Sequence, residues 1–310
     1  MSTSSISLSR TSEHGRTGIF AGVAAYLIWG MLPLYFRLIE HVGALEVVAN
    51  RIIWSVLLLF FILAVRGTLR DIISLLRTWR VALTLTATAA LIGVNWLVYV
   101  WAVNHGHVVA ASLGYFLNPL VNVLLGCMIL KERLGRFQWL AVGLAATGVA
   151  ILATSALNTL WISLALALSF SFYGLIRKLA DVAALEGLAA ETLILSPVAL
   201  IYLGWLTAHG TLALGSDVPT DALLVFTAVL TSVPLVLFAV AAKRMAYSTL
   251  GLLQYIGPTL QFLLGVLVFG ESLSTGQLWS FGLIWMGLIL YSAVSLRQAQ
   301  VNRRAVPAME

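Results

Sequence analysis

The residues able to do chemistry are few, and most of them stand inside apolar sequence. Arg51 lies about six residues into a long apolar run, roughly 9 Å along a helix axis, where an unpaired arginine costs at least ~2.5–3.5 kcal/mol. Such a side chain must face protein or a water-filled cavity. Its planar fork suits a carboxylate or another anionic group; pairing with Glu46 or Glu40, or extension to the surface, would also satisfy it. Arg37, nearer the end of its run, is read as reaching the surface. Asn95, Asn118, Asn122, Gln254 and Gln261 are intramembrane amides, which serve either as interhelical glue or as ligands. Pro119 and Pro258 each remove a helical hydrogen bond and free a carbonyl for water or a ligand, or simply kink a packed helix. Trp29, Trp54 and Trp96, with Tyr26, Tyr99, Tyr115 and Tyr255, are the material for an aromatic wall that takes flat or cationic amphipaths, or for plain core. Trp79, Trp139, Trp161 and Trp279 fall at the ends of apolar runs, where an interfacial belt accounts for them.

Two carboxylates, Glu46 and Glu191, sit within apolar runs near their ends and are read as counterparts in the two halves of the chain. They complement helix dipoles or take up and release a proton. The five histidines, His14, His41, His105, His107 and His209, all fall in tails or connectors. No metal site, cofactor motif, P-loop, HExxH or GxSxG is present, which points away from an enzyme and from direct use of ATP. Cys127 has no cysteine partner, so no disulfide or CxxC site exists.

The elements that must position these residues are helices in a bilayer. The 310 residues are 61% hydrophobic and 10% charged, against ~45–50% and ~25% in soluble domains. A water-soluble fold and a single-anchor protein are both excluded. A span needs ~20 apolar residues, and ten runs qualify: 18–39, 45–65, 81–102, 108–130, 137–154, 159–177, 188–207, 222–242, 248–270 and 276–296. The runs are continuous and rich in Leu, Ala and Val, without the alternation of a β-barrel. The expected fold is an all-α polytopic membrane protein. Gly18 and Gly22 form a GxxxG pair, read as close helix packing, with monomer and homodimer both left open.

Sixteen of the eighteen Lys and Arg residues fall in the tails and alternate connectors, and connectors 40–44, 103–107, 155–158, 208–221 and 271–275 contain none. By the positive-inside rule both termini are cytoplasmic. Segment 1–17 lacks the features of a signal peptide and reads as a disordered polar tail, and 297–310 as a second tail. The net charge of +6 is a topology signal and does not imply a nucleic-acid partner.

The chain repeats itself. Ser112-Leu113-Gly114, Pro119, Leu124-Leu125-Gly126, Glu132, Gln138, Gly143 and Gly148 recur as Thr249-Leu250-Gly251, Pro258, Leu263-Leu264-Gly265, Glu271, Gln277, Gly282 and Gly287, at a constant offset of 139 from the prolines onward. Tyr26-Leu27-Ile28-Trp29-Gly30 has a weaker counterpart in Phe170-Ser171-Phe172-Tyr173-Gly174. Two five-helix units result, 18–154 and 159–296. Five is odd, so the second crosses the membrane in the opposite sense, which suits alternating access around a site near the midplane.

The stretches Ala25-Tyr26-Leu27-Ile28-Trp29-Gly30, Asn50-Arg51-Ile52-Ile53-Trp54-Ser55, Asn95-Trp96, Trp101-Ala102-Val103-Asn104, Ala111-Ser112-Leu113-Gly114-Tyr115-Phe116-Leu117-Asn118-Pro119-Leu120 and Gln254-Tyr255-Ile256-Gly257-Pro258-Thr259 resemble the EamA branch of the drug/metabolite transporters, and within it the bacterial RarD type, the chloramphenicol-sensitivity proteins. The likeness spans about residues 17–297. It implies two inverted EamA repeats in a bacterial inner membrane, and export of small amphipathic metabolites or drugs. Uptake by the same architecture and a non-transporting scaffold or sensor are the alternatives. The expected partners are a small-molecule substrate and the lipid bilayer. One position departs from the pattern: Ala110 stands where the resemblance leads one to expect an acid.

Overall fold

The computed structural model describes residues 4–129, 131, 135–244 and 253–305. Its elements are helical: α1 (Ser4–Leu38), α2 (Ala44–Arg66), α3 (Leu69–Arg77), α4 (Trp79–Asn104), α5 (Val108–Ile129), α6 (Arg136–Ser155), α7 (Leu157–Leu179), α8 (Ala184–Ala208), α9 (Val218–Arg244), α10 (Ile256–Leu263) and α11 (Thr275–Ala305). α10 continues as one π-helical turn, Leu264–Val268. Among the described residues, eight helices are long and apolar enough to cross a membrane, and two apolar helices are shorter, at Arg136–Leu152 and Ile256–Val268. Those two lie at the expected fifth and ninth spans. The expected ninth span begins within 245–252, outside the described residues, as do Glu132, Thr249, Leu250 and Gly251 of the repeat.

Two readings of the sequence change. The polar segment expected to be disordered is helical from Ser4, continuous with the first span. The connector at 66–80 contains a short helix, α3, in which Ile72 is buried while Arg70 and Arg77 stay exposed. A search for span-length apolar runs passes over a nine-residue amphipathic helix of this kind.

Helix packing places the core. α6 lies against α11, α5 against α7 and α10, and α1 against α9 and α10. α2 packs on α8, α9 and α4, while α4 packs on α7 and α8. Close approach is set by glycine at two places. A Cβ on Gly148 of α6 would stand 2.8 Å from the carbonyl oxygen of Ser280, and one on Gly287 of α11 would stand 2.7 Å from that of Ala141. Only hydrogen fits at either position, so α6 and α11 meet backbone to backbone, as small residues permit between helices in lipid. The large apolar side chains on the periphery, Phe20, Phe61, Ile201 and Ile289 among them, are exposed as lipid contact requires. The main buried cluster joins α1, α2, α4, α5, α7, α8 and α9 around Phe36, Trp96 and Tyr99.

Candidate substrate site

α4 carries the site. Thr88, Asn95, Trp96 and Tyr99 share its buried face, at spacings that an α-helix brings to one side. Trp96 receives Arg51 from α2, whose guanidinium carbon is 4.3 Å from the ring centroid. Arg51 is 6% exposed, and its Nε donates to Thr231 Oγ1 on α9 at 2.7 Å. The Thr231 hydroxyl is in turn committed to the Thr227 carbonyl at 2.9 Å, so it can only accept from Arg51.

The carboxylates that sequence reasoning offered as partners are engaged elsewhere. Glu40 pairs with Arg37 at 2.9 Å on the exposed end of α1, where Arg37 reaches the surface as expected. Glu46 Oε1 accepts the amides of Ala213 and Leu214 at 2.7 and 3.4 Å, tying the 208–221 connector to α2. Among the described residues no carboxylate lies within ion-pair distance of Arg51. Its positive charge is therefore held by neutral groups and a ring face.

Beside it runs a polar network with fixed directions. Asn95 donates to the Leu166 carbonyl at 3.1 Å and to Ser169 Oγ at 2.9 Å, and Tyr115 donates its phenol to Asn95 Oδ1 at 3.1 Å. Tyr115 thus spends its proton on α4. The Tyr99 ring lies 5.6 Å from that of Tyr115 and 6.1 Å from Phe36. The Tyr99 hydroxyl is buried with no hydrogen-bond partner. A buried donor left open is costly, and Tyr99 stands one helical turn from Trp96, the ring on which Arg51 stacks.

Of the remaining candidates, Tyr26 and Trp29 form a second aromatic group with Phe238 of α9, at centroid distances of 5.4, 6.2 and 6.1 Å. Gln261 of α10 donates to the Trp29 carbonyl at 3.1 Å. Trp54 is half-buried on α2, and Gln254 and Tyr255 are half-buried just before α10. Asn118 is buried with Oδ1 unpartnered, beside Pro119. Pro258 is buried in α10. The structure gathers Arg51, Asn95, Trp96, Tyr99 and Tyr115, and it does not bring Trp54, Gln254 or Tyr255 to them.

A second charged group lies toward the other end of α4. Thr88 donates to Glu191 Oε1 at 2.7 Å, Tyr173 donates to Oε2 at 3.2 Å, and Arg177 Nε is 3.7 Å from Oε1. Glu191 is fully buried. Gly187, one turn before it, leaves the space that the Arg177 guanidinium fills, since a Cβ there would overlap it. Thr231, Ser169, Thr88, Tyr173 and Arg177 were missed as site residues, Arg177 because a terminal arginine reads as a topology signal.

The assignment of Glu46 and Glu191 as counterparts is corrected. α2 begins Ala44-Leu45-Glu46 and α8 begins Ala184-Leu185-Glu186, each with its acid in the first turn. That register sets Glu186 against Glu46, and Glu191 against Arg51, each the eighth residue of its helix.

Comparison with known proteins agrees with this architecture. Residues 16–154 match the EamA-like transporter family. The chain is 42% identical to an uncharacterized transporter of Vibrio cholerae, covering 94% of this chain and 97% of that protein. It is 43% identical to protein RarD of Escherichia coli over 90% and 95% of the two chains, and 32% identical to the chloramphenicol-sensitive protein RarD of Pseudomonas aeruginosa over 92% and 97%. A crystal structure at 20% identity superposes with a TM-score of 0.61 over 89% of this chain and 98% of the other, a likeness of fold.

Proposed function

The chain belongs to the EamA family, in its RarD-like branch, and from that premise we propose an inner-membrane secondary transporter that exports small amphipathic metabolites or drugs. The observation that carries the reading is Arg51, a buried cation stacked on Trp96 with no carboxylate within ion-pair distance among the described residues. A substrate carboxylate or similar anionic group supplies the missing charge. Trp96, Tyr99 and Tyr115 form the wall against which an apolar or aromatic body packs. The name of one relative, a chloramphenicol-sensitive protein, supports a drug-like cargo.

Transport proceeds by alternating access between two inverted repeats, 18–154 and 159–296. The packing supports this reading. Gly148 on Ser280 and Gly287 on Ala141 are the same contact seen from each repeat, since both members shift by 139 residues. The α1–α9 and α2–α9 contacts are matched by α7–α4 and α8–α4. Both termini are cytoplasmic in this reading, which the basic connectors support. Glu191, buried on the inner side of α8 under this topology, is the residue that couples flux to a proton gradient.

The test is flux in proteoliposomes of known orientation, using a panel of labelled amino acids, aromatic carboxylates and chloramphenicol. Accumulation on the outer side supports export. Accumulation on the inner side replaces it with uptake, and no flux of any compound leaves a scaffold or sensor.

A further inference from the structure

Glu271 reaches from one half of the molecule to the other. It stands in the connector after α10, next to Gly270, whose φ of 68° is a left-handed turn that glycine adopts without steric cost. Its own amide donates back to the Gly265 carbonyl at 2.9 Å, which folds the connector onto the end of α10. Its carboxylate accepts the amide of Val108 on Oε1 at 2.5 Å and that of Val109 on Oε2 at 2.9 Å. These are two of the donors that a helix leaves open at its N-terminus, and a negative charge there also meets the positive end of the helix dipole. Burial pushes the Glu271 carboxyl above the usual carboxylate range, against the opposing pull of both amides and of Arg37.

The helices beneath this bridge are in tight contact. A Cβ on Gly265 would stand 2.8 Å from Val109 Cγ2 and 3.2 Å from the Val109 nitrogen. Outside the bridge, His107, Ala110, Thr159 and Gln277 line an open cleft of about 310 Å³. Inside it, Tyr115 lies seven residues farther along α5, roughly 10 Å down the axis. The contact between Glu271 and α5 therefore closes the seam between α5 and α10 at the end of the molecule whose connectors carry no Lys or Arg.

Resting on the alternating-access reading above, we propose that Glu271 is a latch between the repeats. Its grip on the Val108 and Val109 amides holds this end of the substrate pathway shut, and the α5–α10 seam parts when the grip is lost. Cys127 is the single native thiol, so a Cys127→Ser background lets an introduced cysteine report opening. Ser112→Cys places a thiol at a fully buried position one helical turn below the bridge, away from the open cleft. In nanodiscs, where both faces are accessible, its rate of reaction with a membrane-impermeant maleimide should be low and should rise about ten-fold or more on Glu271→Ala. Glu271→Gln, which keeps one carbonyl acceptor, should fall between.

A second measurement covers the case in which Glu271→Ala fails to fold. A Cβ on Gly265 would be 3.5 Å from Val108 Cβ, within disulfide reach. A Val108→Cys, Gly265→Cys pair, with Val109→Ala to relieve the contact at Gly265, should oxidise rapidly, and several-fold more slowly when Glu271→Gln is added. Unchanged labelling in a folded Glu271→Ala protein, or unchanged oxidation with Glu271→Gln, overturns the latch. Neither readout needs a transported compound, so failure of the latch is read from labelling and oxidation and failure of the transport reading from the flux assay.

Discussion

Arg51 and Trp96 face each other across the α2–α4 contact, with the guanidinium carbon 4.3 Å from the ring centroid. Lipid would penalise the charge and no acid answers it among the described residues, so the ring contributes directly to keeping it buried. Cation–π contacts range from ~0.5 kcal/mol at exposed sites to about 2 kcal/mol when desolvated. A double-mutant cycle of Arg51→Met and Trp96→Leu, read by denaturation in mixed micelles, should give a coupling energy in that range. Additive effects would show that the stacking does not stabilise the charge.

The Glu191 cluster predicts an interaction among three positions. Removing one partner of a buried ion pair costs up to ~3–5 kcal/mol, and the 3.7 Å separation from Arg177 puts Arg177→Gln at the lower end, about 3 kcal/mol. Gly187→Ala should cost less than Arg177→Gln, because the atoms that a Cβ meets are the far end of a flexible side chain that can shift. The double variant should be little worse than Arg177→Gln alone. In flux assays, Glu191→Gln should abolish the response to a pH gradient and keep substrate exchange, because exchange moves no net proton. Glu46→Gln should leave the gradient response intact, since Glu46 is occupied by two backbone amides. A wild-type gradient response in Glu191→Gln would leave facilitated diffusion as the account.

Repeat symmetry makes a paired prediction on stability. Gly148→Ala and Gly287→Ala each force a methyl group against a carbonyl oxygen under 3 Å away, and overpacking of this kind costs about 1–3 kcal/mol. Gly143→Ala and Gly282→Ala, also 139 residues apart, meet no atom within 4 Å and should be neutral or mildly stabilising. Thermal unfolding of the four variants checks this; unequal losses within a pair would argue against equivalent packing of α6 and α11.

Topology is checked with reporter fusions. Those after Ala153 and Ala213 should report the outside, and those after Thr78 and Arg304 the cytoplasm. A cytoplasmic signal at Ala213 would remove the inverted arrangement.

Much of the fold could be read from the chain because lipid imposes length and apolarity on every span, and Arg51 stood out because charge in such a run is expensive. What surrounds it could not be read. Thr231 and Ser169 look ordinary, since a hydroxyl in a helix can bond its own preceding turn and needs no tertiary reason to be there. Glu191 was visible, but its match to Arg51 was hidden because the repeat offset drifts between Gly30 and Pro119, and only the helix starts at Ala44 and Ala184 fix it. Glu271 was visible as a repeat residue, yet its grip on α5 depends on a turn at Gly270 that no motif announces.

The most direct test of the central claim is counterflow of a labelled aromatic carboxylate in proteoliposomes, compared among wild type, Arg51→Lys and Arg51→Gln. A charged hydrogen-bonded contact is worth ~1.5–3 kcal/mol, so Arg51→Gln should weaken half-saturation by about ten- to a hundred-fold for the carboxylate and leave its neutral amide analogue unchanged. Arg51→Lys should recover only part of the loss, because lysine keeps the charge without the planar fork. Equal transport of the carboxylate by wild type and Arg51→Gln would contradict the assignment of Arg51 as the substrate's anchor.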